Sequence, residues 1–162
     1  MAENKKTIVL GASPNPERYS HKAIVALRSK GHDVIAVGKR KGIVADTEIE
    51  DGSLLHYNVH TITMYLNATN QKAWYDFIFS NNPKRIILNP GAENTELEQL
   101  ASRKGIEVLE ACTLVLLATG NYWNELFGIR IVTVAPFIGF ESMEMEKPWK
   151  SEMVLTIGRP KP

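Results

Sequence analysis

Short runs of aliphatic and β-branched residues alternate with helical patterns along most of this chain of 162 residues. The first run, residues 7–10, is continuous rather than alternating, which is typical of a strand buried on both faces of a parallel sheet. Because strand and helix alternate with short links, the strands must run parallel and be joined by right-handed crossovers. The sequence therefore predicts an α/β fold with a doubly wound, mostly parallel sheet. The five predicted core strands are residues 7–10, 33–37, 59–66, 85–88 and 106–109.

Helical patterns of apolar residues separate the predicted strands. The first helix is expected to begin near Ser20, which has a side chain suited to capping, and to end at Gly31. Two further helices are predicted over residues 70–80 and 96–104, each with apolar side chains on one face. Strands and helices together define a Rossmann-type domain over residues 1–122.

Two stretches lack this alternation. Residues 39–58 are polar and weakly periodic, which predicts a long connection with at most a short helical piece near residues 53–55. Aromatic, methionine and proline residues multiply beyond the domain, so residues 123–162 are predicted to form an irregular C-terminal extension. Strand patterns at residues 129–134 and 153–157 suit an antiparallel addition or a subunit contact, and a poorly ordered tail is the alternative.

The bulk composition excludes several classes of function. With 19 Lys and Arg against 18 Asp and Glu, the net charge of +1 gives no field for binding nucleic acid or an anionic membrane. One cysteine, Cys112, permits neither an internal disulfide nor a cysteine-rich metal cluster. We find no signal-peptide pattern and no apolar run that spans a bilayer. The expectation is a cytoplasmic protein with no metal, nucleic-acid or membrane partner.

The loop after the first predicted strand has the character of an anion site. Ligands of doubly wound sheets bind beyond the carboxyl ends of the strands. Here Gly11 permits a tight turn, Ser13 offers a hydroxyl, and the start of the following helix supplies amides and a positive dipole. Arg18 adds a cation, whereas Pro14 and Pro16 each remove an amide donor. A pyrophosphate fits this loop, and a plain structural turn is the alternative.

A basic cluster follows the second predicted strand. Lys39, Arg40 and Lys41 stand where an NAD site usually has an acidic residue for the ribose hydroxyls. Basic side chains suit a phosphorylated ribose instead, either the 2′-phosphate of NADP or the 3′-phosphate of coenzyme A. The alternative is a solvated basic loop.

The ends of the third and fourth predicted strands carry amides and hydroxyls. These groups recognise ligands rather than react with them, and Asn70 and Asn94 could equally cap the helices that follow. Pro90 and Gly91 could simply shape a turn. The polar and turn residues are Tyr65, Asn67, Thr69, Asn70 and Gln71, then Asn89, Pro90, Gly91, Glu93 and Asn94.

Catalytic groups are scarce in the sequence. It has no carboxylate pair, nucleophile elbow or metal-binding motif, and its histidines share no motif. His60 is interpreted as a core or edge residue. The Cys112 thiol could be activated by a helix N-terminus, but it has no evident partner base, and a packed, inert thiol is favoured. No catalytic or metal-binding residue is predicted.

Four segments together resemble a family of small stand-alone CoA-binding proteins. They are Gly-Ala-Ser-Pro within residues 7–18, the strand at residues 59–66, Asn-Pro-Gly-Ala-Glu-Asn at residues 89–94, and Ala-Cys-Thr-Leu-Val-Leu at residues 111–116. The resemblance covers about residues 6–122. The family is similar to the CoA-binding domain of the succinyl-CoA synthetase α subunit and of NDP-forming acyl-CoA synthetases.

The resemblance implies binding of coenzyme A or an acyl-CoA by a non-catalytic module. The alternatives are an NADP-dependent oxidoreductase and a subunit of an NDP-forming acyl-CoA synthetase. Synthetases of this kind use a phosphorylated histidine, and the chain has no histidine after His60. Acyl group, pathway and oligomeric state are not identified, so a homo-oligomer is left open. The predicted ligand contacts are Gly11, Ala12, Ser13, Arg18, Tyr19, Ser20, Val37, Gly38, Lys39, Arg40, Tyr65, Asn67, Asn89, Pro90 and Gly91.

Overall fold

A computed structural model describes residues 5–123, 131–132 and 156–157. Strands and helices alternate through the first of these ranges. The strands are β1 (Lys6–Leu10), β2 (Val34–Val37), β3 (Ile43–Val44), β4 (Thr47–Glu50), β5 (Val59–Met64), β6 (Arg85–Leu88) and β7 (Glu107–Glu110). The helices are α1 (Tyr19–Ser29), α2 (Ala68–Gln71), α3 (Tyr75–Ser80), α4 (Thr95–Arg103) and α5 (Thr113–Ala118), with a 3-10 turn at Lys72–Trp74 between α2 and α3.

The seven strands form one sheet in the order β3-β4-β2-β1-β5-β6-β7. All neighbouring pairs are parallel except β3 with β4. From β1 the chain first steps to β2 on one side and later to β5 on the other. At the carboxyl ends, Leu10 pairs with Val37 and with Met64. The doubly wound, mostly parallel Rossmann-type sheet is confirmed, with its switch point between β1 and β5.

The predicted long connection over residues 39–58 is wrong in its first half. It contains the antiparallel pair β3 and β4, which extends the sheet from five strands to seven. In β4 the side chains of Thr47 and Ile49 are buried and that of Glu48 between them is exposed, because only one face of this strand meets the core. The helical piece predicted near residues 53–55 does not form. There the amide of Ser53 bonds to the Asp51 carboxylate at 2.9 Å.

Helix boundaries correct two of the predicted caps. Ser20 is buried inside the first turn of α1, and Arg18 occupies the N-cap position without a capping side-chain hydrogen bond. The predicted helix over residues 70–80 begins earlier, because the Asn67 side chain accepts the Asn70 amide at 2.8 Å and so caps α2. Asn94 caps α4, in agreement with one of its two predicted roles.

Helices cover both faces of the sheet. Helices α1 and α5 pack on one face, where the buried core includes Val9, Ile24, Leu27, Ile87 and Leu116. Helices α3 and α4 pack on the other face, where the buried core includes Ile8, Leu10, Ile62, Ile78, Ile86 and Leu97. Removing so many aliphatic side chains from water is the main favourable contribution to folding.

Part of the predicted extension is described. Strands β8 (Ile131–Val132) and β9 (Thr156–Ile157) pair antiparallel, within the two segments where the sequence predicts strands. The remaining predictions for residues 124–162 lie outside the described residues. Among the residues that are described, no helix is long and apolar enough to cross a membrane, and no group of His, Cys, Asp and Glu side chains could hold a metal ion.

Candidate functional site

Four loops stand side by side at the carboxyl edge of the sheet, the edge where the parallel strands end. In strand order they are residues 38–42 after β2, 11–18 after β1, 65–67 after β5 and 89–94 after β6. Neighbouring strands lie about 4.8 Å apart, so the β2 and β6 loops are separated by roughly 14 Å. The four loops contain every predicted ligand contact except those at the start of α1 and the end of β2.

The β2 and β1 loops touch through their backbones. A Cβ atom added to Gly38 would lie 2.2 Å from the carbonyl oxygen of Ala12, and one added to Gly42 would lie 2.7 Å from the Cβ of Pro14. Side chains at these two positions would force the loops apart. The glycines therefore hold the exposed basic segment, residues 39–41, against the loop that follows β1.

The amides of the β1 loop are only partly available to an anion. Those of Gly11 and Ala12 both donate to the Val37 carbonyl at 2.9 Å, so they fix the loop to β2. The Asn15 amide donates to the Ser13 hydroxyl at 3.1 Å. No acceptor among the described residues bonds to the Ser13 amide, which leaves it as the donor of this loop.

Helix α1 adds positive charge beside the loop. Its N-cap residue, Arg18, is exposed and makes no capping side-chain bond. Because the first amides of an α-helix have no intrahelical acceptor, this end of α1 carries a partial positive charge. The Lys22 ammonium lies 4.6 Å from the centre of the Tyr19 ring, within the first turn.

The β1 loop also packs against the β5 loop at the switch point. Gly11 has a φ of +98°, and an added Cβ would lie 3.1 Å from the carbonyl carbon of Tyr65 and 3.2 Å from the Leu66 side chain. The sequence interpretation expects a ligand to approach this glycine closely. In the structure the β5 loop makes a close approach there, which explains the glycine without a ligand.

Asn89 fastens the β6 loop to its neighbours. Its side chain is buried, and the Nδ2 atom donates to the Thr63 hydroxyl at 2.7 Å and to the Met64 carbonyl at 2.9 Å. Its Oδ1 atom accepts the Thr113 amide at 2.8 Å. The side-chain amide thus joins β5, β6 and α5. Direct contact of Asn89 with a ligand stays a prediction.

Gln71 positions two of the loops, whereas the sequence interpretation placed it among the groups that recognise ligands. It is fully buried, and its Nε2 atom donates to the carbonyls of Leu66 at 2.7 Å and Ala92 at 2.8 Å. Its Oε1 atom accepts Nδ2 of Asn94 at 2.7 Å. One glutamine therefore connects the β5 loop to the β6 loop. A buried glutamine after a strand has no sequence signature that separates it from an exposed one.

The turn after β6 holds a carboxylate. The Gly91 amide lies 3.1 Å from both carboxylate oxygens of Glu93, and the Ala92 amide donates to the Asn89 carbonyl at 2.8 Å. Gly91 and Glu93 are exposed. The Gly91 amide is thus engaged by a side chain of the protein.

The side chains nearest to reactive chemistry are held in their neutral forms. Burial raises the pKa of the Cys112 thiol and favours the protonated, inert form over the activated one. Burial also raises the pKa of Tyr65, whose hydroxyl is enclosed near Thr63 and Thr113 without a well-formed hydrogen bond among the described residues. Neither group is poised as a base.

His60 lies at the opposite, amino edge of the sheet. Its ring is buried, its Nδ1 atom is 2.9 Å from the Thr61 hydroxyl, and its centre is 5.6 Å from that of Trp123. The interpretation of His60 as a core or edge residue agrees with this position, far along β5 from the four loops.

Taken together, the fold and the row of loops define a Rossmann-type α/β protein with its candidate ligand site at the switch point. The sequence matches the family described as "CoA binding domain" over residues 5–118, and the chain belongs to that family. This membership supports binding of coenzyme A in general terms. A search of curated proteins finds no match.

Several solved structures share the fold of this chain. The chain is 44% identical to one described as an uncharacterized protein, with a TM-score of 0.72 and coverage of 74% of this chain and 99% of the other. It also resembles the cell-free ID.343 protein of Thermus thermophilus at 20% identity and TM-score 0.64, covering 73% of this chain and 90% of that one. A hypothetical protein from Pyrococcus horikoshii OT3 has 19% identity and TM-score 0.64, with coverage of 70% and 81%. The last two likenesses concern the fold alone.

Proposed function

We propose that this protein binds coenzyme A or an acyl-CoA at the carboxyl edge of its sheet and acts as a non-catalytic binding module. The observation that carries the proposal is the close contact of Gly38 with the backbone of Ala12 and of Gly42 with the side chain of Pro14. This contact seats the basic residues 39–41 beside the loop that follows β1. Coenzyme A bears a pyrophosphate and a separate 3′-phosphate, so it needs two neighbouring cationic regions.

Each part of the ligand has a place along the row of loops. The pyrophosphate lies at the Ser13 amide and the first turn of α1, where Arg18 supplies a full charge. The 3′-phosphate pairs with Lys39 and Arg40. The pantetheine arm continues toward the β5 and β6 loops, past the predicted contacts Tyr65, Asn67, Pro90 and Gly91.

The non-catalytic role rests on the protonation states of the nearby side chains. A nucleophilic cysteine needs a lowered pKa, whereas burial raises the pKa of Cys112. A general base needs a pKa near the working pH, and burial moves the pKa of Tyr65 well above its usual value of 10.0. Both directions support binding over turnover.

Calorimetric titration with coenzyme A, dephospho-coenzyme A and NADP tests the proposal. Lys39→Glu should weaken coenzyme A about tenfold and dephospho-coenzyme A by less than about twofold, because only the former carries the 3′-phosphate. The matched control is Lys84→Glu, an exposed lysine just before β6 at the amino edge. It should leave both affinities unchanged.

Three results would count against the proposal. If Lys39→Glu lost equal affinity for coenzyme A and dephospho-coenzyme A, Lys39 would not pair with the 3′-phosphate of the ribose. Tighter binding of NADP than of coenzyme A would favour the oxidoreductase alternative. No heat and no thermal shift with millimolar coenzyme A would reject the ligand, since a bound ligand must raise stability by mass action.

A further inference from the structure

Charge is distributed unevenly along the carboxyl edge. The β1 and β2 loops carry four basic side chains, Arg18 and those of residues 39–41, against one acidic side chain, Glu17. In the loop after β6 and at the end of β7, the charged side chains are Glu93 and Glu110, both acidic. A ligand that lies along this edge therefore passes from a cationic end to an anionic end.

The Glu93 carboxylate is held in place rather than freely mobile. Both of its oxygens lie 3.1 Å from the Gly91 amide. The turn that carries this amide is itself fixed, because the Ala92 carbonyl accepts Nε2 of the buried Gln71 at 2.8 Å. The negative charge thus has a defined position above the β6 turn.

The position of Glu93 matters because of the direction in which the ligand runs, a step that rests on the function proposed above. With the phosphates at the β1 and β2 loops, the thiol or acyl end reaches the β6 turn. A carboxylate on the acyl group would face the Glu93 charge there. The Gly91 amide is already engaged by Glu93, so it would offer this carboxylate no hydrogen bond in compensation.

We propose that Glu93 selects coenzyme A and acyl-CoA thioesters whose acyl group carries no negative charge, and disfavours thioesters of dicarboxylic acids. Glu93 acts as a specificity-determining residue by repulsion, which is the usual way to reject a close analogue. The size of the effect is modest, since the carboxylate is exposed to water.

Titration with acetyl-CoA and malonyl-CoA tests the selection. The wild type should bind malonyl-CoA about fivefold more weakly than acetyl-CoA, which is what two like charges roughly 4 Å apart are worth in water. Raising the salt concentration should narrow this gap. Glu93→Gln keeps an oxygen acceptor for the Gly91 amide and removes the charge, so it should bring the gap below about twofold by strengthening the binding of malonyl-CoA.

The matched control is Glu107→Gln, an exposed glutamate at the amino end of β7, which should keep the wild-type gap. Equal affinities of the wild type for the two thioesters would overturn the selection, as would a gap that persists in Glu93→Gln. Both outcomes leave coenzyme A binding intact, so they differ from failure of the proposed function, in which coenzyme A itself does not bind.

Discussion

The carboxyl and amino edges of the sheet differ in the groups that pack there. At the carboxyl edge, loops pack backbone against backbone at Gly11 and Gly38, and their charged side chains stay in solvent. At the amino edge, the buried Arg85 guanidinium lies 4.9 Å from the centre of the Tyr122 ring and 5.5 Å from that of Trp123. One edge exposes charges and leaves donors for a ligand, whereas the other is filled by its own side chains.

The difference separates binding from stability. Backbone contacts between loops bury little apolar area, so they shape a surface and contribute modestly to folding. A guanidinium packed against two aromatic rings buries much more area and completes hydrogen bonds that would otherwise be lost. Variants of the amino edge should therefore change stability alone, and variants of the carboxyl edge should change binding as well.

Arg85→Met should have the largest effect. Arg85 donates from Nε to the Thr61 hydroxyl at 2.8 Å and from Nη2 to the Tyr122 carbonyl at 2.6 Å. Losing these buried bonds should lower the free energy of unfolding by about 3 kcal/mol in urea titrations. At the exposed neighbouring position, Lys84→Met should lower the free energy of unfolding by less than about 0.5 kcal/mol. A change in coenzyme A affinity of folded Arg85→Met would break the separation of the two edges.

Gly38→Ala should come next and should affect both properties. Its Cβ would lie 2.2 Å from the Ala12 carbonyl oxygen, so the loops must shift at a cost of about 2 kcal/mol. The shift moves the basic residues 39–41 and should weaken coenzyme A about tenfold. Gly120→Ala is the control, with open space around its Cβ and a φ of +76°. It should cost about 1 kcal/mol and leave affinity unchanged, and equal affinities in both variants would refute the loop contact as the basis of the site.

His32 should make the stability of the protein depend on pH, because its ring is buried at the amino edge of the sheet. Burial lowers the pKa of this histidine from 6.5, and nearby Lys30 lowers it further. Because the folded state favours the neutral ring, its contribution is fully present above pH 6.5 and is lost as the pH falls toward the lowered pKa. In urea titrations the wild type should lose more stability between pH 7 and pH 5 than His32→Phe. Parallel pH profiles would show that the edge admits water.

An exposed ion pair at the amino edge should give the smallest effect. Arg28 bonds to both carboxylate oxygens of Asp46, at 2.8 and 2.7 Å, and these bonds lower the pKa of Asp46 from 3.8 to about 2. The pair stabilises the fold above pH 3.8 and loses its effect as the pH falls through about 2. Asp46→Asn should unfold at slightly lower urea than the wild type at pH 6 and at the same urea below pH 2. A constant difference at all pH values would exclude the ion pair as its cause.

The sequence predicts the parallel strands well because strands buried on both faces are rich in apolar residues, as at residues 34–37. It misses β3 and β4, which are only two and four residues long and form by pairing, β4 with the edge of β2 and β3 with β4. Gly11 shows a subtler limit. Its left-handed φ is predictable from the turn, but whether a ligand or the β5 loop approaches it depends on residues more than fifty positions away.

Arg85 and Tyr122 show the same limit at the other edge. Nothing local marks Arg85 as buried, since it begins a strand and follows a lysine. Its partners are Thr61 and the carbonyl of Tyr122, at sequence separations of 24 and 37. Such a cluster becomes visible only when the strands are placed side by side.

The Lys5 ammonium lies 5.2 Å from the centre of the Trp123 ring, so the first and last residues of the described range 5–123 meet at the edge away from the four loops. A polypeptide with adjoining ends can be closed by a short linker and reopened elsewhere. The exposed turn at Ala45 and Asp46 is a suitable place for new termini. For the same reason we expect residues 5–123 to tolerate insertion into a loop of a host protein, with the four loops at the carboxyl edge pointing away from the host.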